Sequence, residues 1–258
     1  MKITVLVENT SNDPHFGAEH GLSLYIQTET HTILFDMGQS DLFAANAEML
    51  GIDLADVDLA VLSHGHYDHG GGLSHFLEVN KKAPVFVNRH AFEPHYNGTE
   101  KYIGLDTTLK THPRLIFTDD EYTIVNRLTL YSCNQHPKAF DLGSFGLNMM
   151  QDGIFVPDDF RHEQYLLIEE HSKRVLISGC SHKGILNIAA WFSPDVLVGG
   201  FHFSKLPLDQ TLTNYAAYLD GFDTAFYTCH CTGDAQFAFM KPHMKHLHFL
   251  STGEQIIF

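Results

Sequence analysis

The run Asp58–Leu62 is short, apolar and followed at once by Ser63-His64-Gly65-His66-Tyr67-Asp68-His69-Gly70-Gly71-Gly72-Leu73. An apolar run of that length, bounded by glycines, reads as a buried strand. Three imidazoles and a carboxylate therefore leave one strand end on a tight loop, and strand ends are where α/β sheets bind ligands. Imidazole nitrogen and carboxylate oxygen are donors for Zn²⁺ and related borderline metals, while glycine lets the backbone turn so that neighbouring side chains converge. The alternative, a solvated histidine-rich loop, fits poorly with four potential ligands from His64 to His69. The glycines lack the G-x-x-x-x-G-K-[ST] pattern of a phosphate-cradling loop. They instead let the next helix begin close to the ligands.

Around this loop the chain alternates between strand and helix patterns. Strand-like runs lie at Ile3–Val7, Leu22–Gln27, Thr32–Phe35, Val85–Val87, Leu128–Ser132, Tyr165–Ile168, Val175–Ser178, Val196–Val198, Ala225–Thr228 and His248–Leu250. Helical periodicity occupies Leu42–Leu50, Ile185–Phe192, Thr211–Leu219 and Ala235–Lys241. Early hairpins and later β-α-β units predict packed sheets with helices on their outer faces, an α/β (α+β) arrangement. The 258 residues suit one domain, residues 1–258, with decoration. The decoration is expected at about 90–160, where glycines and prolines punctuate short segments rich in Phe and Tyr. Long loops on a compact domain are often functional, so a lid or inserted segment is expected there.

Charge narrows the partners. Lys plus Arg is 16 and Asp plus Glu is 31, a formal net charge of −15 that repels nucleic acid and anionic lipid. No apolar run approaches the ~20 residues of a membrane span, and the start lacks a signal peptide's layout, so a cytoplasmic protein is expected. Four cysteines, Cys133, Cys180, Cys229 and Cys231, are too few for a disulfide scaffold.

The sequence H-x-H-x-D-H at His64, His66, Asp68 and His69 resembles the signature of the metallo-β-lactamase superfamily. Leu34-Phe35-Asp36-Met37-Gly38 resembles its strand and Asp-x-Gly turn. Asn9, Glu19-His20-Gly21, Ser178-Gly179-Cys180-Ser181-His182-Lys183-Gly184, Gly199-Gly200-Phe201-His202 and Cys229-His230-Cys231-Thr232-Gly233 resemble one branch, the dihydropterin-ribofuranosylaminobenzene-phosphate-synthase-like hydrolases. The resemblance implies a four-layer αββα sandwich with up to two metals at one edge. Carried over by position, His64 and His66 serve the first metal, Asp68 and His69 the second, and His230 completes the second.

The usual bridging Asp is replaced by Cys180, and no histidine of matching context precedes the hairpin Tyr165–Ser178; His162 is the nearest. His182, on the same strand-end loop as Cys180, is the expected substitute ligand. His202 comes next, read first as a group that steadies a ligand or touches substrate, and Asp36 as a partner for the far nitrogen of a ligand ring. The other histidines, including His90, His95 and His171, read as surface residues. A Cys180 nucleophile lacks a nameable base. Lys183, Arg161 and Lys205 are the basic residues available for a substrate phosphate.

The implied activity is hydrolysis of an anionic ester, phosphodiester or lactone by metal-bound hydroxide, with Asp68 orienting it. Zn²⁺, one or two ions, suits the nitrogen-rich ligands, and Fe, Mn or Ni tolerate the same set. Two alternatives are a metal-containing binding or sensing module without turnover, and a pterin-precursor synthase whose aromatic lid stacks the substrate.

Overall fold

A computed structural model describes residues 1–258. Its first sheet runs in the order Gln255–Ile257, Lys2–Val7, Ser23–Gln27, Thr32–Phe35, Leu59–Leu62, Val85–Asn88 and Leu115–Thr118. The pairs up to Thr32–Phe35 are antiparallel and those beyond it parallel. The second sheet runs Leu247–Phe249, Ala225–Thr228, Val196–Val198, Lys173–Ile177, Tyr165–Glu170, Leu128–Tyr131 and Glu121–Val125. Its first four strands are parallel. Parallel pairing sends successive carboxyl ends to one edge, so the loops after Phe35, Leu62, Ile177, Val198 and Thr228 emerge at strand ends that can share a site.

Three cores define four layers. Ile33, Phe35, Leu59 and Val61 face Leu166, Ile168, Val175 and Ile177 between the sheets. The alternate residues Leu34, Ala60 and Leu62 point the other way, against Phe43 and Phe76 of the helices Leu42–Met49 and Leu73–Val79. Leu176 and Leu197 do the same on the second sheet, meeting the helices Ile185–Phe192, Gln210–Asp220 and Asp234–Met240. Burial on both faces is why these strands read as continuous apolar runs. Each such fully buried Leu, Ile, Val or Phe contributes ~1.5–3 kcal/mol. The architecture is the expected αββα sandwich.

The stretch at about 90–160 is divided rather than laid over one edge. Leu115–Thr118 ends the first sheet, while Glu121–Val125 and Leu128–Tyr131 end the second. The edge strand Glu121–Val125 alternates between exposed and half-buried residues, which weakens its apolar signal. Only His95–Asn97, Lys101–Tyr102, Leu147–Gln151 and Ile154–Pro157 form a separate four-stranded sheet. Several aromatics of the stretch pack on one another, Tyr96 against Phe155 at 5.0 Å and Phe92 against Phe117 at 6.2 Å between ring centroids.

Candidate metal centre

The loop after Leu62 turns so tightly that a Cβ on Gly65 would stand 2.1 Å from Ala91 O. Only glycine fits, and His64 and His66 on either side are thereby aimed into the site. Asp36, held at a left-handed φ of 59°, sits at the neighbouring strand end. Its Oδ1 accepts from Ser63 N–H at 2.7 Å, and its Oδ2 accepts from Ser63 Oγ at 2.7 Å and from His69 Nδ1 at 2.6 Å. Ser63 Oγ, having given its proton to Asp36, accepts from His64 Nδ1 at 2.8 Å. One carboxylate thus fixes two tautomers, leaving lone pairs on Nε2 of both His64 and His69. Asn9 does the same for His230, whose Nδ1 donates to Asn9 Oδ1 at 2.8 Å.

Those freed nitrogens face one another. His69 Nε2 lies 3.2 Å from His230 Nε2 and 3.2 Å from Cys180 Sγ, and His64 Nε2 lies 3.3 Å from His182 Nε2. Asp68 Oδ2 is 3.4 Å from His230 Nε2 and 3.8 Å from His69 Nε2. With both rings neutral and their protons held on Nδ1, the His69 and His230 lone pairs confront each other and no hydrogen bond joins them. Metal–nitrogen bonds of about 2.0–2.1 Å in a tetrahedron put ligand atoms about 3.3 Å apart. The spacing and the buried, unpartnered Nε2 of His66 fit a cation at this place.

Electrostatics agree. Burial, then the neighbouring imidazoles, push His64 and His66 well below the ordinary histidine value, as burial and His202 do for His182. They stay neutral, the form that ligates. Burial would lower His69 too, but the Asp36 and Asp68 carboxylates raise it. Asp68, despite burial, is held well below the carboxylate range by His69, His20 and His230. Burial drives the Cys180 thiol well up, so a cation is needed to hold it as thiolate.

His182 stacks on Phe160 at 4.5 Å and 9°, and its backbone N–H donates to Glu163 Oε1 at 2.6 Å. Glu163 also accepts from Lys183 N–H at 3.0 Å and from Tyr165 Oη at 2.6 Å. His202, at φ 57°, stands 4.3 Å from His182 between ring centroids and beside Cys180 and Cys231. Its Nδ1 is buried without a partner. His66, Asp68, Cys180, His182, His202 and His230 all line one cavity of about 510 Å³.

The model of the metallo-beta-lactamase superfamily matches residues 16–220. The chain belongs to this superfamily. It is 31% identical over 242 residues to the uncharacterized protein MJ0448 of Methanocaldococcus jannaschii, covering 90% of each chain. It is 27% identical to 7,8-dihydropterin-6-methyl-4-(beta-D-ribofuranosyl)-aminobenzene-5'-phosphate synthase of the same organism, over 100% of this chain and 97% of that one. Among solved structures it is similar to Tm1679, described as a metal-dependent hydrolase of the beta-lactamase superfamily, with 29% identity, a TM-score of 0.85 and coverage of 100% and 99%.

Within this superfamily frame, the structure gathers His64, His66, Asp68, His69, Cys180, His182, His202 and His230, with Asp36 behind them. Three expectations are corrected. His95 is not a surface residue: it is fully buried, 5.6 Å from His66 between ring centroids. Lys183 is buried, and its Nζ is spent on Ser132 O at 2.6 Å and Glu163 O at 3.0 Å, with burial lowering it to about 8. Arg161 pairs with Asp159 at 2.9 Å, which leaves Lys205, with Lys101, as the lysines lining the cavity. Asn9 belongs to the branch resemblance without an expected role, and Ser63 adjoins the signature; Phe160 and Glu163 were absent from the expected site residues and act through contacts no local pattern announces.

Proposed function

We propose that the chain is a metal-dependent hydrolase of a small anionic ester, phosphodiester or lactone. The observation that carries this is the pair of Nε2 lone pairs on His69 and His230, 3.2 Å apart beside the open cavity. In this reading His64, His66 and His182 hold a first metal, and Asp68, His69 and His230 a second, with Cys180 at the junction. A bound divalent metal lowers the pKa of water from ~15.7 to near 7 and polarises the scissile bond. Zn²⁺ suits the imidazoles and thiolate best, and Fe, Mn and Ni remain compatible.

The chain's own groups do the rest. Asp36, Ser63 and Asn9 hold the tautomers of His64, His69 and His230, so those three rings present their lone pairs before metal capture. Asp68 Oδ2, kept ionised, would accept a hydrogen bond from the attacking water and orient it. Lys101 and Lys205, with Asn97, line the cavity and meet a substrate anion.

Similarity to the named synthase supports a second reading, action on a pterin-type precursor. Stacking by the aromatic stretch does not favour it, because Tyr67 is the one Phe, Tyr or Trp among the cavity-lining residues.

The test is turnover of chromogenic phosphodiesters, esters and lactones by protein loaded separately with Zn²⁺, Mn²⁺, Fe²⁺ or Ni²⁺, with Asp68→Asn as control. Metal binding with turnover that Asp68→Asn abolishes is expected. Tight metal binding without turnover of any member would favour the binding-module alternative.

A further inference from the structure

The buried cluster behind His66 has a hydrogen-bond pattern that singles out one more ligand. His95, from the small sheet, donates Nδ1–H to Asp158 Oδ2 at 2.8 Å. Asp158 Oδ1 accepts from Phe160 N–H at 2.8 Å, and its Oδ2 also faces His162 Nε2 at 3.4 Å, so the carboxylate is fully engaged. His162 Nδ1 accepts from Gly65 N–H at 2.9 Å, which puts that ring's proton on Nε2, toward Asp158. His162 therefore has no lone pair to offer. His95 does: its Nε2 is buried, carries the free lone pair and has no partner.

His66 Nε2 is equally buried and unpartnered, and the candidate ligand atoms of His66, His95, Asp158 and His162 lie within 4.8 Å of one another. An imidazole backed on one nitrogen by a carboxylate and open at the other is the arrangement of a metal-bound histidine. Two such nitrogens left unsatisfied in the interior destabilise the metal-free fold.

We propose that His95, oriented by Asp158, joins His66 in holding a divalent metal; this donor group shares only His66 with the set His64, His66 and His182, so an ion drawn to it fastens the small four-stranded sheet to the sandwich. This rests on the metal assignment of the hydrolase reading. It makes the small sheet a fixed wall of the centre, with His162 as a positioning residue that steadies Asp158.

The experiment is Zn²⁺ titration of dialysed protein against a competing chelator, with metal counted by mass spectrometry, for the parent, His95→Ala and Asp158→Asn. Hydrogen exchange of the strands His95–Asn97 and Leu147–Gln151 is followed with and without Zn²⁺. The expected result is a loss of at least about tenfold in affinity at one site for His95→Ala and of about 10–100-fold for Asp158→Asn. Zn²⁺ should slow exchange in both strands of the parent and leave them unchanged in the variants. Should His95→Ala fail to fold, Asp158→Asn carries the same comparison. Parent-like affinity in Asp158→Asn or His95→Ala, together with strand exchange indifferent to Zn²⁺, would overturn the proposal and leave a buried water as the partner of His95. A parent that binds no divalent metal would overturn the hydrolase reading itself.

Discussion

Asp36 Oδ2 stands 2.6 Å from His69 Nδ1 and, through Ser63 Oγ, also governs His64. Both histidines are expected to serve different metals, so one carboxylate sets the lone pairs of both. Asp36→Asn presents an amide whose donor face can reverse either tautomer. Metal affinity should fall by about 10–100-fold, and at both sites together. Competitive titration would show this, and loss at one site alone would contradict the shared role.

His182→Ala and Cys180→Ser should separate the two sites. Removing His182 is expected to weaken the metal held by His64 and His66, while Cys180→Ser mainly lowers affinity beside His69 and His230. With Co²⁺ as a spectroscopic probe, the sulfur-to-metal charge-transfer band should vanish in Cys180→Ser and persist in His182→Ala. A band that survives in Cys180→Ser would assign the sulfur contact to Cys231.

Gly65→Ala should be costly although it adds one methyl group. The new Cβ meets Ala91 O at 2.1 Å, so the backbone must shift, at roughly 1–3 kcal/mol. His64 and His66 flank the glycine, so metal affinity should drop along with the urea midpoint. Unchanged stability would mean that the loop has slack.

Acid should destabilise the metal-free chain. Burial first, and His95 next, lower His162 from 6.5 to about 4, and burial also holds His64, His66 and His182 well down. Between those pH values the unfolded chain binds more protons than the folded one. Stability is therefore full above about pH 6.5 and declines as pH falls, by roughly 3 kcal/mol from His162 alone by pH 4. Urea titrations of chelator-treated protein from pH 8 to pH 5 should trace the decline, and a flat profile would contradict it.

The sandwich was legible because strands buried on both faces, such as Thr32–Phe35 and Val196–Val198, leave unbroken apolar runs. The signature loop was legible because its ligands are neighbours in the chain. His95 was not, since its meaning depends on Asp158, 63 residues away, and on a strand of three residues in the small sheet. Edge strands such as Glu121–Val125 were hidden for the opposite reason, that solvent takes half of their side chains. Lys183 looked like a substrate contact from its place beside His182, yet its Nζ folds back onto backbone carbonyls.

The two sheets meet through the apolar layer that includes Val61 and Ile177, and each sheet supplies loops to the centre only a residue or two beyond that layer. Donor atoms 3.2–3.3 Å apart are thus carried on separate slabs. The centre consequently works as a vernier for inter-sheet packing: a sub-ångström slide caused by a changed methyl group at Val61 or Ile177 would be read out as an altered coordination spectrum while the global melt barely moved.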